Sequence, residues 1–230
     1  MNIDVFVIAG GKCGSTTLKS SFDYNGFRCI KSHAPSCFIK QFGYNGFYKT
    51  IEMVARTRYI FVIDAYRTPI ERKLSSFFHN GDKKHKDFNQ LSLSELTNIF
   101  NREYLYTVEE YHIMNDIFNK YKIPRFTTFP HNKQIKIKTH KNIVFIKLLY
   151  KNIQNWESQL RKIFGNRFKI MKANMSNEKP YHTKYKRFLA KYKVHNEYLD
   201  NNLVNDAEFK LYNSPQDQQE YIAMWKTKST

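Results

Sequence analysis

The sequence predicts an α/β fold: three αβα layers around a mostly parallel central sheet, with a helical insertion and a helical C-terminus. Three observations carry this expectation. The stretch "VFVIAGGKCGSTTLKSSF" (Val5–Phe22) runs from an apolar, β-branched segment through a glycine-rich turn into a helix-forming one. "RYIFVIDAYR" contains a near-continuous apolar run, Tyr59 to Ala65, as expected of a central parallel strand covered on both faces. Strand-like and helix-like segments then alternate over the first 80 residues, the pattern of βαβ units.

Taken in order, "IDVFVIAG" reads as a buried strand and "STTLKSSFDY" as the short helix after the glycine turn. "FRCIKS" is a second short strand, and "NGFYKTIEMVARTR" places Phe47, Ile51 and Val54 at helical spacing. After the Tyr59–Ala65 strand, "TPIERKLSSFFHN" is a helix with Pro69 suited to its first turn. Residues 81–141 break the alternation: "GDKKHKDFNQ" is a polar loop, and "SLSELTNIFNREY" and "TVEEYHIMNDIFNKY" are helices. Ser92 and Glu95 stand in capping-box register. "IPRFTTFPHNKQIKIKTHK" alternates near its end, and the whole 81–141 stretch reads as an insertion shaping an acceptor cleft.

"NIVFIKLLY" restores a strand, "NIQNWESQLRKIFG" is an amphipathic helix ended by Gly165, and "RFKIMKAN" reads as a last strand. From Lys184 to Trp225 the pattern is helical, with Ser214 and Pro215 opening the final helix. Trp156 and Trp225 sit in helical patterns as packing residues. Neither an internal repeat nor a domain linker is evident, so residues 1–230 read as a single domain.

The 230 residues carry a net charge of +18, and Lys133 to Lys193 holds 17 Lys/Arg against Glu157 and Glu178 alone. Such a field favours an anionic partner: nucleotide, acidic glycan, nucleic acid or membrane surface. Neither a signal-peptide pattern nor a run of ~20 apolar residues occurs, and three cysteines (Cys13, Cys29, Cys37) lack metal-ligand spacing. The expectation is a cytoplasmic protein with reduced thiols and no metal.

The glycine turn is where the chemistry concentrates. A strand, a glycine-rich turn and a helix N-terminus make an anion site, because backbone N–H groups and the helix dipole face the ligand. Gly10, Gly11 and Gly14 let the backbone approach, Cys13 is a small loop residue, Ser15, Thr16 and Thr17 add donors, and Lys12 adds a charge. The lysine precedes the last glycine, so this is not the G-x-x-x-x-G-K-[ST] loop of nucleoside triphosphatases. A second element, "RTPIERKLS" (Arg67–Ser75), sets an arginine beyond a strand end and a serine two helical turns on. Arginine offers planar recognition of phosphate and serine a hydroxyl. Two such sites at the carboxyl ends of parallel strands imply a nucleotide phosphorylated at two positions.

"KCGSTTL" and "RTPIERKLS" together resemble the 5′-phosphosulfate loop and the 3′-phosphate motif of the PAPS-dependent sulfotransferase family, whose fold is P-loop-like. "IKSHAPSCF" is similar to that family's K-T-H-x-P segment, where the histidine is the catalytic base; here it is His33, two residues after Lys31. The glutamate that some members use instead falls at Ser20. The similarity covers roughly Ile3 to Asn80, with a looser likeness around Asn174–Ser176 and the Lys/Tyr-rich helix that follows. Gly11 stands where many members have proline, and the family's R-K-G cofactor loop is missing.

The resemblance implies transfer of a sulfuryl group from PAPS (3′-phosphoadenosine 5′-phosphosulfate) to an acceptor hydroxyl or amine, leaving PAP. Lys12 and the loop would hold the phosphosulfate, His33 would take the acceptor proton, and Arg67 and Ser75 would anchor the 3′-phosphate. Lys179, Lys184 and Arg187 are C-terminal candidates for that phosphate. The sequence leaves the acceptor open: the lysine-rich half favours an anionic glycan, a small hydroxyl compound or a lipid stands beside it, and no stable nucleic-acid partner is expected. Three alternatives stand beside this reading. One is a P-loop-like nucleotide kinase using ATP, with Asp64 ending a Walker-B-like strand. The second is a basic nucleic-acid-binding protein with Tyr181, Tyr185 and Tyr192 among lysines. The third is a related fold that binds PAP or a glycan without turnover.

Overall fold

The computed structural model describes residues 4–33, 46–107, 113–130, 134–172 and 179–227. In chain order its regular elements are β1 (Val5–Val7), α1 (Ser15–Tyr24), β2 (Cys29–Lys31), α2 (Gly46–Ala55), β3 (Ile60–Tyr66), α3 (Pro69–Lys84), α4 (Leu93–Phe100) and α5 (Ile113–Lys120). There follow β4 (Ile135–His140), β5 (Ile143–Leu149), α6 (Trp156–Phe164), α7 (His182–Lys191), α8 (Ala207–Tyr212) and α9 (Pro215–Thr227). They gather into two compact units. Met1–Arg67, Glu110–Thr127 and Lys133–Asn174 make the first, and Thr68–Glu109, Thr128–Asn132 and Met175–Thr230 the second.

The first unit is α/β. Its sheet has the order β2-β1-β3-β5-β4, with β2, β1, β3 and β5 parallel and β4 antiparallel at the edge. Side chains alternate across a strand. Phe6, Val62 and Phe145 therefore face one side, with Ile51 and Val54 of α2 and Ile113, Ile117 and Phe118 of α5. Val7, Ile63, Ala65 and Leu148 face the other, with Leu18 and Phe22 of α1 and Trp156 and Leu160 of α6. Helices on both faces explain why β3 reads as a near-continuous apolar run. They make this unit a helix–sheet–helix arrangement.

Residues 81–141, read from sequence as one insertion, divide between the units. Helix α5 packs its apolar side onto the sheet of the first unit, and β4 extends that sheet. The expected last strand at "RFKIMKAN" is not a strand over its described residues, 167–172. Its backbone is satisfied by helix side chains instead of a neighbouring strand. The Lys169 N–H donates to Asn25 Oδ1, the Ile170 N–H to Glu157 Oε2 and the Met171 N–H to Ser21 Oγ, while the Phe168 carbonyl accepts from Arg161 Nε. The N–H groups of Lys169, Ile170 and Met171 are committed to side chains and that of Phe168 to the Gly165 carbonyl, so these four are not offered to a ladder.

The second unit is helical, and its core is mostly aromatic. The Phe77 ring lies 5.1 Å from Phe78, 5.2 Å from Phe88, 5.5 Å from Phe100 and 5.1 Å from Tyr104. Helix α4 opens on the expected capping box: the Glu95 N–H donates to Ser92 Oγ and the Ser92 N–H to Glu95 Oε2. It continues as a π-helical turn, Asn101–Leu105, whose carbonyl ends are capped by a buried cation. Lys73 Nζ donates to the carbonyls of Tyr104 and Thr107.

Gly81 departs from its sequence reading. Expected in a polar loop, it lies inside α3, which runs on to Lys84. The chain then turns at Asp87, whose φ is 56°, and lays Phe88 back over Gly81. A Cβ on Gly81 would sit 2.3 Å from the Phe88 ring, so the glycine makes room for the ring rather than ending the helix. Gly81→Ala is therefore expected to destabilise. The helix-propensity gain of about 1 kcal/mol is smaller than an overpacking cost of about 3 kcal/mol. Urea denaturation checks this, and Gly81→Ala with Phe88→Leu is expected to recover part of the loss.

Among the described residues, no helix is long and apolar enough to cross a membrane.

Candidate functional site

The carboxyl ends of β1, β2, β3 and β5 all lie in the first unit, and what each strand delivers there defines the site. After β1 the ladder continues for one bond, Ile8 N–H to the Ile63 carbonyl at 2.8 Å, and then the chain enters the glycine turn. Lys12 is left-handed (φ 65°), as is Gly14 (φ 83°). Gly14 occupies the N-cap of α1 and offers no side-chain cap, so the first turn opens on backbone alone. Two constraints hold that glycine. Its positive φ disfavours a side chain, and a Cβ there would meet the Trp156 ring at 2.8 Å and Tyr150 at 3.3 Å.

The expected loop residues Gly11, Lys12, Cys13, Gly14, Ser15, Thr16 and Thr17 are thus all placed on this turn and the start of α1. Cys13 is buried, its thiol donating weakly to the Gly11 carbonyl at 3.6 Å, as suits a small loop residue. Cys29 is a second buried free thiol, pushed up to about 12 chiefly by burial. Cys37 lies outside the described residues.

Strand β2 brings two residues to the same end. Lys31 Nζ donates to Thr16 Oγ1 at 3.1 Å. The Ser32 N–H continues the pairing onto the Val7 carbonyl, which sets His33 just past the strand. His33 Nδ1 lies 2.9 Å from the Ala9 carbonyl, and its Nε2 lies 3.5 Å from Ser15 Oγ. A carbonyl can only accept, so in the neutral ring Nδ1 carries the hydrogen and the lone pair is on Nε2. That lone pair faces the first residue of α1.

Strand β3 ends in Tyr66 and delivers Arg67. Its Nη1 donates to the Lys12 carbonyl at 3.0 Å. Its guanidinium carbon lies 4.4 Å above the Tyr150 ring, the first residue past β5. Among the described residues, Arg67 Nε is buried without a hydrogen-bond partner. Tyr150 was missed from sequence, although its place directly after a parallel strand, like that of His33 and Arg67, was a usable signal.

Ser75, Lys179 and Lys184 belong to the second unit. Ser75 is half-buried on α3. The Lys179 carbonyl accepts from the His182 N–H at the start of α7. Lys184 Nζ donates to the Phe88 carbonyl at 2.8 Å. Burial first, then the neighbouring Arg187 cation, holds its ammonium below the usual lysine range. Arg187 is exposed, and the Asn174–Ser176 segment lies outside the described residues.

A second charged feature was also not foreseen. Asp64 and Lys147 are directly paired across β3 and β5, with Lys147 Nζ 2.6 Å from Asp64 Oδ2, both buried. The Asp64 carboxylate, inside β3 rather than at its end, is therefore already paired with an ammonium. Among the described residues no three His, Cys, Asp or Glu side chains gather as a metal-binding group. Charge is concentrated in this unit: it holds 23 Lys/Arg against 7 Asp/Glu, a net +16 of the chain's +18.

Compared with protein-family models, curated proteins and solved structures, the chain shows no match.

Proposed function

We propose that the first unit is the nucleotide-binding core of a P-loop-like sulfotransferase, which moves a sulfuryl group from PAPS to an acceptor hydroxyl or amine. The observation that carries this reading is His33. Its Nδ1 is held by the Ala9 carbonyl and its Nε2 lone pair is presented at the N-terminus of α1, beside the anion loop. A base poised next to a phosphate-type cradle fits transfer to an acceptor that must lose a proton. The buried, unpartnered Arg67 Nε marks a place where an anionic oxygen would be accommodated.

When bound, PAPS supplies an activated sulfuryl group and leaves as PAP. The protein's part is to bind, orient and move a proton. The backbone of Gly11–Gly14, the first turn of α1, Lys12 and Ser15–Thr17 would hold the 5′ end. Lys31 orients Thr16. His33 Nε2 would accept the acceptor's proton, with the resulting imidazolium stabilised by the Nδ1–H bond to Ala9. The basic balance of the unit favours an anionic acceptor such as an acidic glycan. The kinase alternative needs Asp64 for magnesium, and Lys147 already occupies that carboxylate.

Calorimetric titration with PAP, and separately with ATP and magnesium, tests the reading. PAP is expected to bind, and Lys12→Ala and Arg67→Ala are each expected to weaken it roughly 10–100-fold, the loss of one charge-assisted hydrogen bond. His33→Ala is expected to leave PAP affinity near wild type and to lower transfer from PAPS about 10²–10⁴-fold. Binding of ATP with magnesium but not PAP would replace this reading with the kinase. Binding of nucleic acid alone, with a steep salt dependence, would point to the nucleic-acid alternative.

A further inference from the structure

We infer that Tyr150 is a positioning residue for the anion loop: its ring holds the Arg67 guanidinium against the Lys12 carbonyl and thereby sets the loop's binding conformation. The inference rests on the loop being the anion site proposed above. Strand β5 makes no backbone pairing with β1, since β3 lies between them. Its influence on the loop comes through the side chains that leave its carboxyl end.

The chain of contacts is continuous. Trp156 Nε1 donates to the Leu149 carbonyl at 3.0 Å, fixing the indole to the end of β5. The Tyr150 ring meets that indole edge-on, with centroids 6.1 Å apart and planes at 86°. Both rings close on Gly14. The Tyr150 face carries the Arg67 guanidinium at 4.4 Å, and Arg67 Nη1 reaches the Lys12 carbonyl at 3.0 Å. Lys12 is the loop's non-glycine residue at positive φ, a conformation that a side chain resists. A donor fixed on its carbonyl opposes relaxation of that peptide. The aromatic ring fits this task because it attracts the guanidinium face while leaving the edge N–H groups free to point at a carbonyl or an anion.

The test measures PAP affinity and amide hydrogen exchange across Gly10–Gly14 in wild type, Tyr150→Phe, Tyr150→Leu, Arg67→Ala and the Tyr150→Leu/Arg67→Ala double variant. Tyr150→Phe keeps the ring face and is expected to bind PAP like wild type. Tyr150→Leu is expected to weaken PAP roughly 3–30-fold, the range of a partly desolvated cation–π contact, and to speed loop exchange. On the Arg67→Ala background Tyr150→Leu is expected to add almost nothing, because the effect passes through the guanidinium. Equal binding and exchange in wild type and Tyr150→Leu overturn the inference, as do additive effects in the double variant or a Tyr150→Phe as weak as Tyr150→Leu. If Tyr150→Leu fails to fold, Arg67→Lys, which keeps charge but loses the planar face, reads the same contact by the same two measurements. A wild type that does not bind PAP, with exchange still faster in Tyr150→Leu and not in Tyr150→Phe, removes the proposed function and keeps the positioning role.

Discussion

Asp64→Ala is expected to destabilise the first unit by about 3–5 kcal/mol, the usual consequence of removing one partner from a buried ion pair. The two side chains are paired in register on adjacent central strands, 2.6 Å apart and almost fully covered. In water each ion would be solvated; here the carboxylate and ammonium largely replace that solvation for one another. Deleting the carboxylate takes from a buried ammonium a charge-assisted partner 2.6 Å away. Lys147→Met is expected to cost a comparable amount by removing the ammonium from Asp64. Replacing both, as Asp64→Leu with Lys147→Met, is expected to be nearly neutral, because an apolar pair of similar volume carries no desolvation penalty. Denaturant midpoints of the four proteins check this. Additive losses in the double variant would mean that the pair is not an energetic unit.

Gly14→Ala is expected to be nearly as damaging and to remove anion binding as well. A left-handed residue with a Cβ costs roughly 1–2 kcal/mol. Wedging that carbon 2.8 Å from the Trp156 ring adds about 1–3 kcal/mol of overpacking. The ring has little room to yield, since its N–H is tied to the Leu149 carbonyl and its far side is packed in the core. Trp156→Phe in the Gly14→Ala background is expected to relieve the clash and leave the backbone strain, so recovery should be partial. Thermal unfolding together with PAP titration separates the two effects. A Gly14→Ala protein with unchanged melting temperature and affinity would contradict the described turn.

How far the fold was legible depended on whether each signal was local. The turn from β1 into α1 was readable because glycines, an apolar strand and a following run of hydroxyls occur within one short stretch. The capping box of Ser92 and Glu95 was readable for the same reason. Gly81 was misread because its purpose is set by Phe88, seven residues on, through a bend at Asp87 that spacing does not announce. "RFKIMKAN" was misread because apolar alternation cannot tell a strand from an extended segment whose donors reach Asn25, Glu157 and Ser21. At the site, Arg67 was visible as a residue beyond a strand end and His33 through the likeness of "IKSHAPSCF" to a K-T-H-x-P segment, but the Arg67 contact to the loop backbone was not. Asp64 was noted at a Walker-B-like strand and Lys147 was passed over inside "NIVFIKLLY"; only the register of β3 on β5 reveals that they meet.

That register has a further consequence, for the order in which the molecule is made. Strand β3 is complete at Tyr66, whereas its partner β5 begins at Ile143, with all of Thr68–Glu109 between them and assigned to the other unit. While the ribosome works through that interval, the growing chain can pair β1, β2 and β3 but leaves the apolar edge from Ile60 to Tyr66 without its neighbour. Closing so long a span is slow, and an exposed central strand is a template for pairing with another nascent chain. The buried charge at Asp64 interrupts that edge during the wait. The residue that needs a partner in the finished sheet thus also makes the unfinished one less adhesive.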